Sequence, residues 1–508
     1  MLKKRKNLLK NEEGRKMEFY KYLETATLEL ADHTAVICDD IQYTYRELYL
    51  KVKELGEKLK QLGVKPGKKV ALVTSDPIDF IISFLAINYI KAIILPIYVH
   101  TGWEKIDYMM QEFCIDFALI SSDTSLQFSK SNIYHVDHTF DNCEDLLLCR
   151  NLQTNAEDIN SDVALILFSS GTTNLPKAIM LTRKNVCSNV EGISAYLKLS
   201  ENDRILIIKN LNHASSIVGE MLVGLYNGCS LFFTRKLPTV TNILDILAKD
   251  KITTFFAVPT ILKGIIENKK LNRYDLNSLR IINFYGAPMP QQSILKLTEL
   301  FYNTNIIYSY GLTEASPRVT YIERKDILAR PSSSGKTIND VKIKILDDNG
   351  YELESYQQGE ITVQGPNVML GYYKNEILTN KVICNGILHT RDLGYLDEDG
   401  FLYVTGRKDN MIISAGKNIY PEEIEGVITI FPGIMEALVK GEKAENETYN
   451  IIAYVVLSEG MQLNIKEVYE HCKSRLENYK IPKEVRVVKE FEKTVSGKLK
   501  RKQEFKLK

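Results

Sequence analysis

From residue 45 to residue 285 the sequence alternates amphipathic stretches with short apolar runs, and this alternation restricts the fold more than any other feature. The stretch 45–62 places Leu48, Val52, Leu55, Leu59 and Leu62 on one helical face. Further helices are expected at 18–29, 78–89, 103–114, 182–197, 218–226, 240–249 and 259–267. Short apolar runs at 70–74, 92–98, 117–121, 163–168, 178–181, 204–208, 230–233, 254–258 and 279–285 read as strands. Strands separated by helices of this length belong to parallel sheets, because a crossover helix lets successive strands run the same way. The runs 35–38 and 42–45 flank an Asp-Asp turn and read as a hairpin, and 142–162 is polar and reads as a loop.

Beyond residue 341 the pattern changes to short strands and turns, at 341–346 and 359–363, which predicts a small β subdomain. After Gly406-Arg-Lys-Asp409 a new mixed pattern begins, with helices at 421–429 and 464–476 and strands at 411–414, 434–439, 449–456 and 484–488. The expected architecture is α/β. A large N-terminal domain, residues 1–406, holds two α/β subdomains and the small β subdomain, and a small α+β domain, residues 407–508, follows. A chain of 508 residues is in any case too long for one hydrophobic core.

The formal net charge of +1 argues against a nucleic-acid-binding role, which needs a basic surplus. Eight cysteines contain no C-x-x-C pair, so free thiols in a reducing cytoplasm are expected. The apolar stretch 80–99 is broken by Asn88, Lys91 and Pro96, and reads as a buried helix running into a strand, not as a membrane span.

Between the strands 163–168 and 178–181 lies a turn with Ser169, Ser170, Gly171, Thr172, Thr173 and Lys177. Small hydroxylated residues around a glycine leave backbone N–H groups free to surround an anion, and a lysine adds a point charge. The turn suits a polyphosphate, although the same residues also make ordinary hairpin turns. It lacks the Gly-Lys-[Ser/Thr] ending of a Walker A loop, and no two glycines are spaced for G-x-G-x-x-G. Other candidate positions are His213 after a strand, and Tyr285-Gly286-Ala287-Pro288, whose small residues let a planar ring approach. In Tyr308-Ser-Tyr310-Gly311-Leu-Thr313-Glu314 an aromatic face, a hydroxyl and a carboxylate follow a strand end, where open α/β sheets bind ligands. Glu314 suits Mg²⁺, Asp392 suits a ribose diol, and Lys498 stands on a small-residue turn near the carboxyl terminus.

In this order, the Ser-Ser-Gly-Thr-Thr-x-x-Pro-Lys run, the Tyr-Gly-x-Thr-Glu run, Asp392, Gly406-Arg407 and Gly497-Lys498 resemble the ANL family of adenylate-forming enzymes. The run 416–425 looks most like its acyl- and aryl-CoA synthetase branch. The resemblance implies an AMP-forming ligase. It would activate a fatty or aryl acid with ATP and Mg²⁺ to an acyl-adenylate, then transfer the acyl group to coenzyme A. It also implies roles. Ser169, Ser170, Gly171, Thr172, Thr173 and Lys177 would hold the β- and γ-phosphates, Thr313 the α-phosphate and Glu314 the Mg²⁺. Gly286, Ala287, Pro288, Tyr310 and Gly311 would frame the adenine, with Asp392 and Arg407 at the ribose. His213 would border the acyl pocket, with the residues after His213, 284–285, Leu312 and 315–319 as further lining candidates. Lys498 would bridge carboxylate and α-phosphate, on a C-terminal domain made mobile by a hinge at Asp409.

The sequence departs from the family at Asn174, Ala178, Arg391 and Ala415, each standing for a glycine, and at Glu492, standing for a proline. The acyl acceptor stays open between coenzyme A and the phosphopantetheine arm of an acyl or peptidyl carrier protein. An ATP-binding pseudoenzyme is a third reading. The acid and the oligomeric state are not legible.

Overall fold

The structure is a computed structural model. It describes residues 18–121, 134–140, 146–151, 159–169, 176–287, 289–414, 417–443, 449–458, 460–493, 499–501, 503 and 505. Two large sheets organise most of the chain. The first has nine strands, in the order Lys336–Thr337, Thr320–Glu323, Asn305–Tyr310, Ile281–Tyr285, Thr254–Ala257, Arg204–Leu206, Ser230–Phe233, Thr34–Cys38 and Ile41–Thr44. Its six central strands are parallel, as the helix-strand alternation predicts, and antiparallel strands close both edges. The second has eight strands. Val163–Ser169, Ile93–Pro96, Lys69–Val73 and Phe117–Ser121 run parallel at its centre. The hairpin partner Lys177–Thr182 lies on one side of that centre.

Several helices start where the sequence supplies caps. Thr44 and Thr182 each close a capping box, with Glu47 and Asn185 respectively, opening the helices Tyr45–Gln61 and Arg183–Leu197. Asp76 accepts the N–H groups of Ile78 and Asp79 ahead of the helix Pro77–Tyr89. That helix is buried almost all round, which explains its apolar composition without a membrane. No helix among the described residues is long and apolar enough to cross a membrane.

A five-stranded sheet follows, built from Lys342–Leu346, Gly359–Gln364, Ile387–Leu396, Ile383–Cys384 and Leu402–Arg407. This is the expected β subdomain. The later residues form a hairpin, Ile412–Ser414 with Lys417–Ile419, and a three-stranded sheet of Ile434–Lys443, Tyr449–Leu457 and Glu484–Val488. They pack with the helices Pro421–Thr429 and Ile465–Lys473 around a core of their own, from Ile412 to Val485.

Two expectations are corrected. The stretch 142–162 is not all loop: Leu146–Asn151 is a strand pairing antiparallel with Phe117–Ser121. Leu146, Leu148 and Cys149 are buried there, but six residues among polar neighbours gave too short an apolar signal. The helix expected at 218–226 is a composite. Ala214–Ser216 is α-helical, Ile217–Leu222 is a π-turn, and Val223–Asn227 resumes the α-helix. A π-turn admits one extra residue into the spiral, which apolar periodicity alone does not reveal.

Candidate active site

The strand Asn305–Tyr310 delivers the centre of the site. At its end the chain turns at Gly311, where an added Cβ would lie 1.8 Å from the carbonyl oxygen of Pro317. Only glycine fits so close to backbone. A short 3₁₀ turn, Thr313–Ala315, then presents Thr313 and Glu314 beyond the sheet. Inside the strand, the Tyr310 hydroxyl donates to Asp392 Oδ2 at 2.6 Å. Arg407 Nε meets the other carboxylate oxygen, Oδ1, at 2.9 Å. The register Asp392↔Arg407 in the five-stranded sheet sets that second contact, so two sheets grip one carboxylate. Burial first, and the Asp392 charge second, hold the Tyr310 proton well above its usual range. Tyr310 thus stays a donor.

Glu314 Oε1 accepts a hydrogen bond from the Tyr372 hydroxyl at 3.0 Å. The Lys177 ammonium lies 5.5 Å from the centre of the Tyr372 ring. Lys177 itself pairs with Ser169 across the hairpin. Burial opposes the charge of Arg407, but Asp392, Asp409 and Glu314 around it prevail and hold its proton. A lysine, an arginine and a carboxylate are therefore collected beside an aspartate whose oxygens point to two donors. The strand Ile281–Tyr285 ends alongside Asn305–Tyr310 and turns at Gly286, φ +93°, followed by Ala287.

His213 is half-buried and immediately precedes the composite helix. Asp409 lies in the 3₁₀ turn Lys408–Asn410, and Arg391 reaches its Oδ1 from Nε at 2.8 Å and Nη2 at 2.6 Å. Burial would raise the Asp409 carboxyl, but Arg391, Arg407 and Lys177 outweigh it and hold it below its ordinary value. Ser170, Gly171, Thr172, Thr173, Pro288 and Lys498 lie outside the described residues. Sequence reasoning missed Tyr372, which orients Glu314 from 58 residues away. No local pattern marks such a partner.

A family model described as AMP-binding enzyme matches residues 23–373, and a second, AMP-binding enzyme C-terminal domain, matches 423–498. This chain belongs to the AMP-binding enzyme family. Among its relatives is a 2-succinylbenzoate--CoA ligase of Oceanobacillus iheyensis, 31% identical over 91% of this chain and 93% of that one. The 4-coumarate-CoA ligase 1 of Narcissus pseudonarcissus is 28% identical over 91% and 88% of the two chains. The O-succinylbenzoate coenzyme A synthetase of Bacillus subtilis, solved with ATP and magnesium ion, superposes with a TM-score of 0.82 at 27% identity, covering 95% and 98%. The same enzyme has been solved with its acyl-adenylate intermediate. This AMP-binding enzyme is accordingly an AMP-forming acid–CoA ligase of the ANL, adenylate-forming class.

Proposed function

We propose that this ligase activates an aryl or fatty carboxylic acid in two half-reactions, adenylation by ATP and then transfer to coenzyme A, on a site assembled around Asp392. The observation that carries the reading is Asp392, held by Tyr310 and Arg407 beside Glu314 and Lys177. A ribose diol donates well to such a carboxylate. Gly286, Ala287, Pro288, Tyr310 and Gly311 frame the adenine next to it. Lys177 and the hydroxyls of Ser169, Ser170, Thr172 and Thr173, with the Gly171 N–H, receive the β- and γ-phosphates. Thr313 serves the α-phosphate. Glu314 fits Mg²⁺, which takes one or two carboxylates and completes its shell with phosphate oxygens and water. Bound there, the ion would neutralise charge on the phosphates.

In the first half-reaction a carboxylate oxygen of the acid forms a bond to the α-phosphorus of ATP, and the bond to the pyrophosphate oxygen breaks. Charge grows on the phosphoryl oxygens and the leaving group, so positioning and fixed positive charge do most of the catalysis. Lys498 bridges the two reacting groups. In the second, the sulfur of coenzyme A attacks the acyl carbon and AMP departs. His213 borders the acyl group. The domains divide at 406/407, one residue before the strand Leu402–Arg407 ends, and the C-terminal unit carries Lys498. The names of the relatives favour the aryl side of the acid class. Cysteines that are mostly buried among the described residues, and small-molecule substrates, fit a cytoplasmic enzyme.

Acid-dependent ATP–pyrophosphate exchange over aryl, fatty and amino acids tests the reading. Exchange should exceed background at least about tenfold for one aryl or fatty acid. Added coenzyme A should then release the thioester without a carrier protein. ATP binding with no exchange across the whole panel would refute the ligase reading in favour of a nucleotide sensor.

The hinge role of Asp409 gives Arg391 a consequence. Arg391 sits at φ +63°, a region where a side chain is strained and glycine is not. Its ion pair with Asp409 restrains the hinge. Both partners are partly exposed, so the pair is worth about 0.2–1 kcal/mol. Arg391→Gly should therefore speed the second half-reaction, followed in rapid-mixing experiments, by up to about fivefold at low salt. Added salt should shrink the difference. A rate insensitive to both changes would show that the pair does not restrain the hinge.

A further inference from the structure

The composite helix after His213, the end of the strand at Tyr285 and the segment after the Thr313–Ala315 turn enclose a charge cluster that the adenylation chemistry does not use. Arg318 is only 3% exposed. Its backbone is fixed, because its N–H donates to Asn189 Oδ1 at 3.1 Å and its carbonyl accepts from Asn189 Nδ2 at 2.7 Å. The guanidinium stacks 3.9 Å from the centre of the Tyr285 ring. It also lies against the bare Cα of Gly219 in the π-turn, where a Cβ would come within 3.4 Å of Nη2. The Tyr196 hydroxyl faces it as well. Yet Nε and Nη2 meet no hydrogen-bond acceptor among the described residues.

Those two nitrogens share one edge of the planar group, the edge that takes a carboxylate through two parallel hydrogen bonds. The charges around them point the same way. Glu220, 1% exposed, accepts a hydrogen bond from the Tyr285 hydroxyl, and burial pushes its carboxyl up. The Lys209 ammonium stands 4.3 Å from the centre of the same ring. Two cations thus flank a ring served by one carboxylate whose ionised form is disfavoured. A buried cation with an unfilled fork is costly until an anion enters. On the layout proposed above the cluster adjoins the acid, because Tyr285 and Arg318 belong to the expected acyl lining and Glu220 follows His213 by two helical turns.

We propose that Arg318 receives a second anionic group of the acid substrate through Nε and Nη2, so that the enzyme prefers dicarboxylic acids to monocarboxylic acids of the same skeleton. The proposal rests on the ligase reading above, since one carboxylate must go to the α-phosphate while the other occupies the fork. A monocarboxylic acid would instead leave the fork empty against a hydrocarbon end.

Matched pairs of acids in ATP–pyrophosphate exchange test it, using hexanoate against adipate, benzoate against phthalate, and benzoylpropionate against 2-succinylbenzoate. The wild-type enzyme should show a kcat/KM at least about tenfold higher for the doubly charged member of one or more pairs. Arg318→Met should bring that ratio to about one or below, and Arg318→Lys, which keeps the charge and loses the fork, should leave it between the two. Thermal unfolding with MgATP shows whether each variant is folded, and the wild-type ratios decide the matter if one is not. Exchange with monocarboxylic acids but no preference in any pair would overturn the proposal and leave the ligase reading standing. An equal fall for both members in the folded Met variant would do the same. Silence with every acid would overturn both.

Discussion

Lys498→Ala should lower acid-dependent ATP–pyrophosphate exchange by at least about 10²–10³-fold, while thioester formation from a supplied acyl-adenylate persists. The separation follows from where charge develops. In the first half-reaction two anions, a carboxylate and a triphosphate, must be brought together, and a point charge between them removes most of the repulsion. In the second the nucleophile is a sulfur and the electrophile an already activated acyl carbon, so a lysine at the α-phosphate has little left to neutralise. The two activities should therefore part company in one variant. Purified acyl-adenylate with coenzyme A, followed by thioester release, reads the second step alone. A variant equally defective in both steps would remove Lys498 from its adenylation role and leave a structural one.

Gly311→Ala should destabilise the fold by about 1–3 kcal/mol and cut kcat/KM for ATP severely. The added methyl would lie 1.8 Å from the Pro317 carbonyl oxygen and 3.0 Å from the Arg318 Cα, both backbone atoms with no rotamer to yield. The strand end must move, and with it the Thr313–Glu314 turn and the donor Tyr310. A matched control is Gly426→Ala inside the helix Pro421–Thr429, where nothing lies within 4 Å of the new atom. Alanine is the better helix former there, so that variant should be neutral or slightly more stable. Equal unfolding midpoints for wild type and both variants would mean that the close approach at Gly311 is not maintained in solution.

How much of the fold and the site was legible in the sequence depends on the range of the interaction involved. The parallel sheets were legible because burial of a crossover unit writes itself locally, as in the strand Phe117–Ser121 and the helix Val240–Lys249, both expected at those bounds. Asp392, Glu314 and Arg407 were legible through short runs that resemble a family. Tyr372 was not, because its reason for being there is a carboxylate 58 residues earlier in the chain. Arg318 was hidden differently. The sequence places it only within the expected acyl lining 315–319, and three-dimensional burial is what shows that its fork lacks an acceptor among the described residues. The π-turn that makes room for it depends on Gly219, whose meaning is likewise set by a distant side chain. The Leu146–Asn151 strand shows the opposite failure: a genuine local signal diluted by the polar residues around it.

The grip on Asp392 also has a mechanical meaning. Tyr310 belongs to the nine-stranded sheet, whereas Asp392 and Arg407 belong to the five-stranded one, so the sugar of a bound nucleotide would sit astride the seam between them. With the ribose on Asp392 as proposed, ATP would act as a rivet as well as a reactant. At a hundredfold excess over its dissociation constant, any ligand confined to the folded form adds about 2.7 kcal/mol to stability. Across this seam that increment would go into holding two layers in register. On that proposed placement, the departure of AMP at the end of each cycle would withdraw the rivet, and the seam would be at its loosest just as the next ATP must enter.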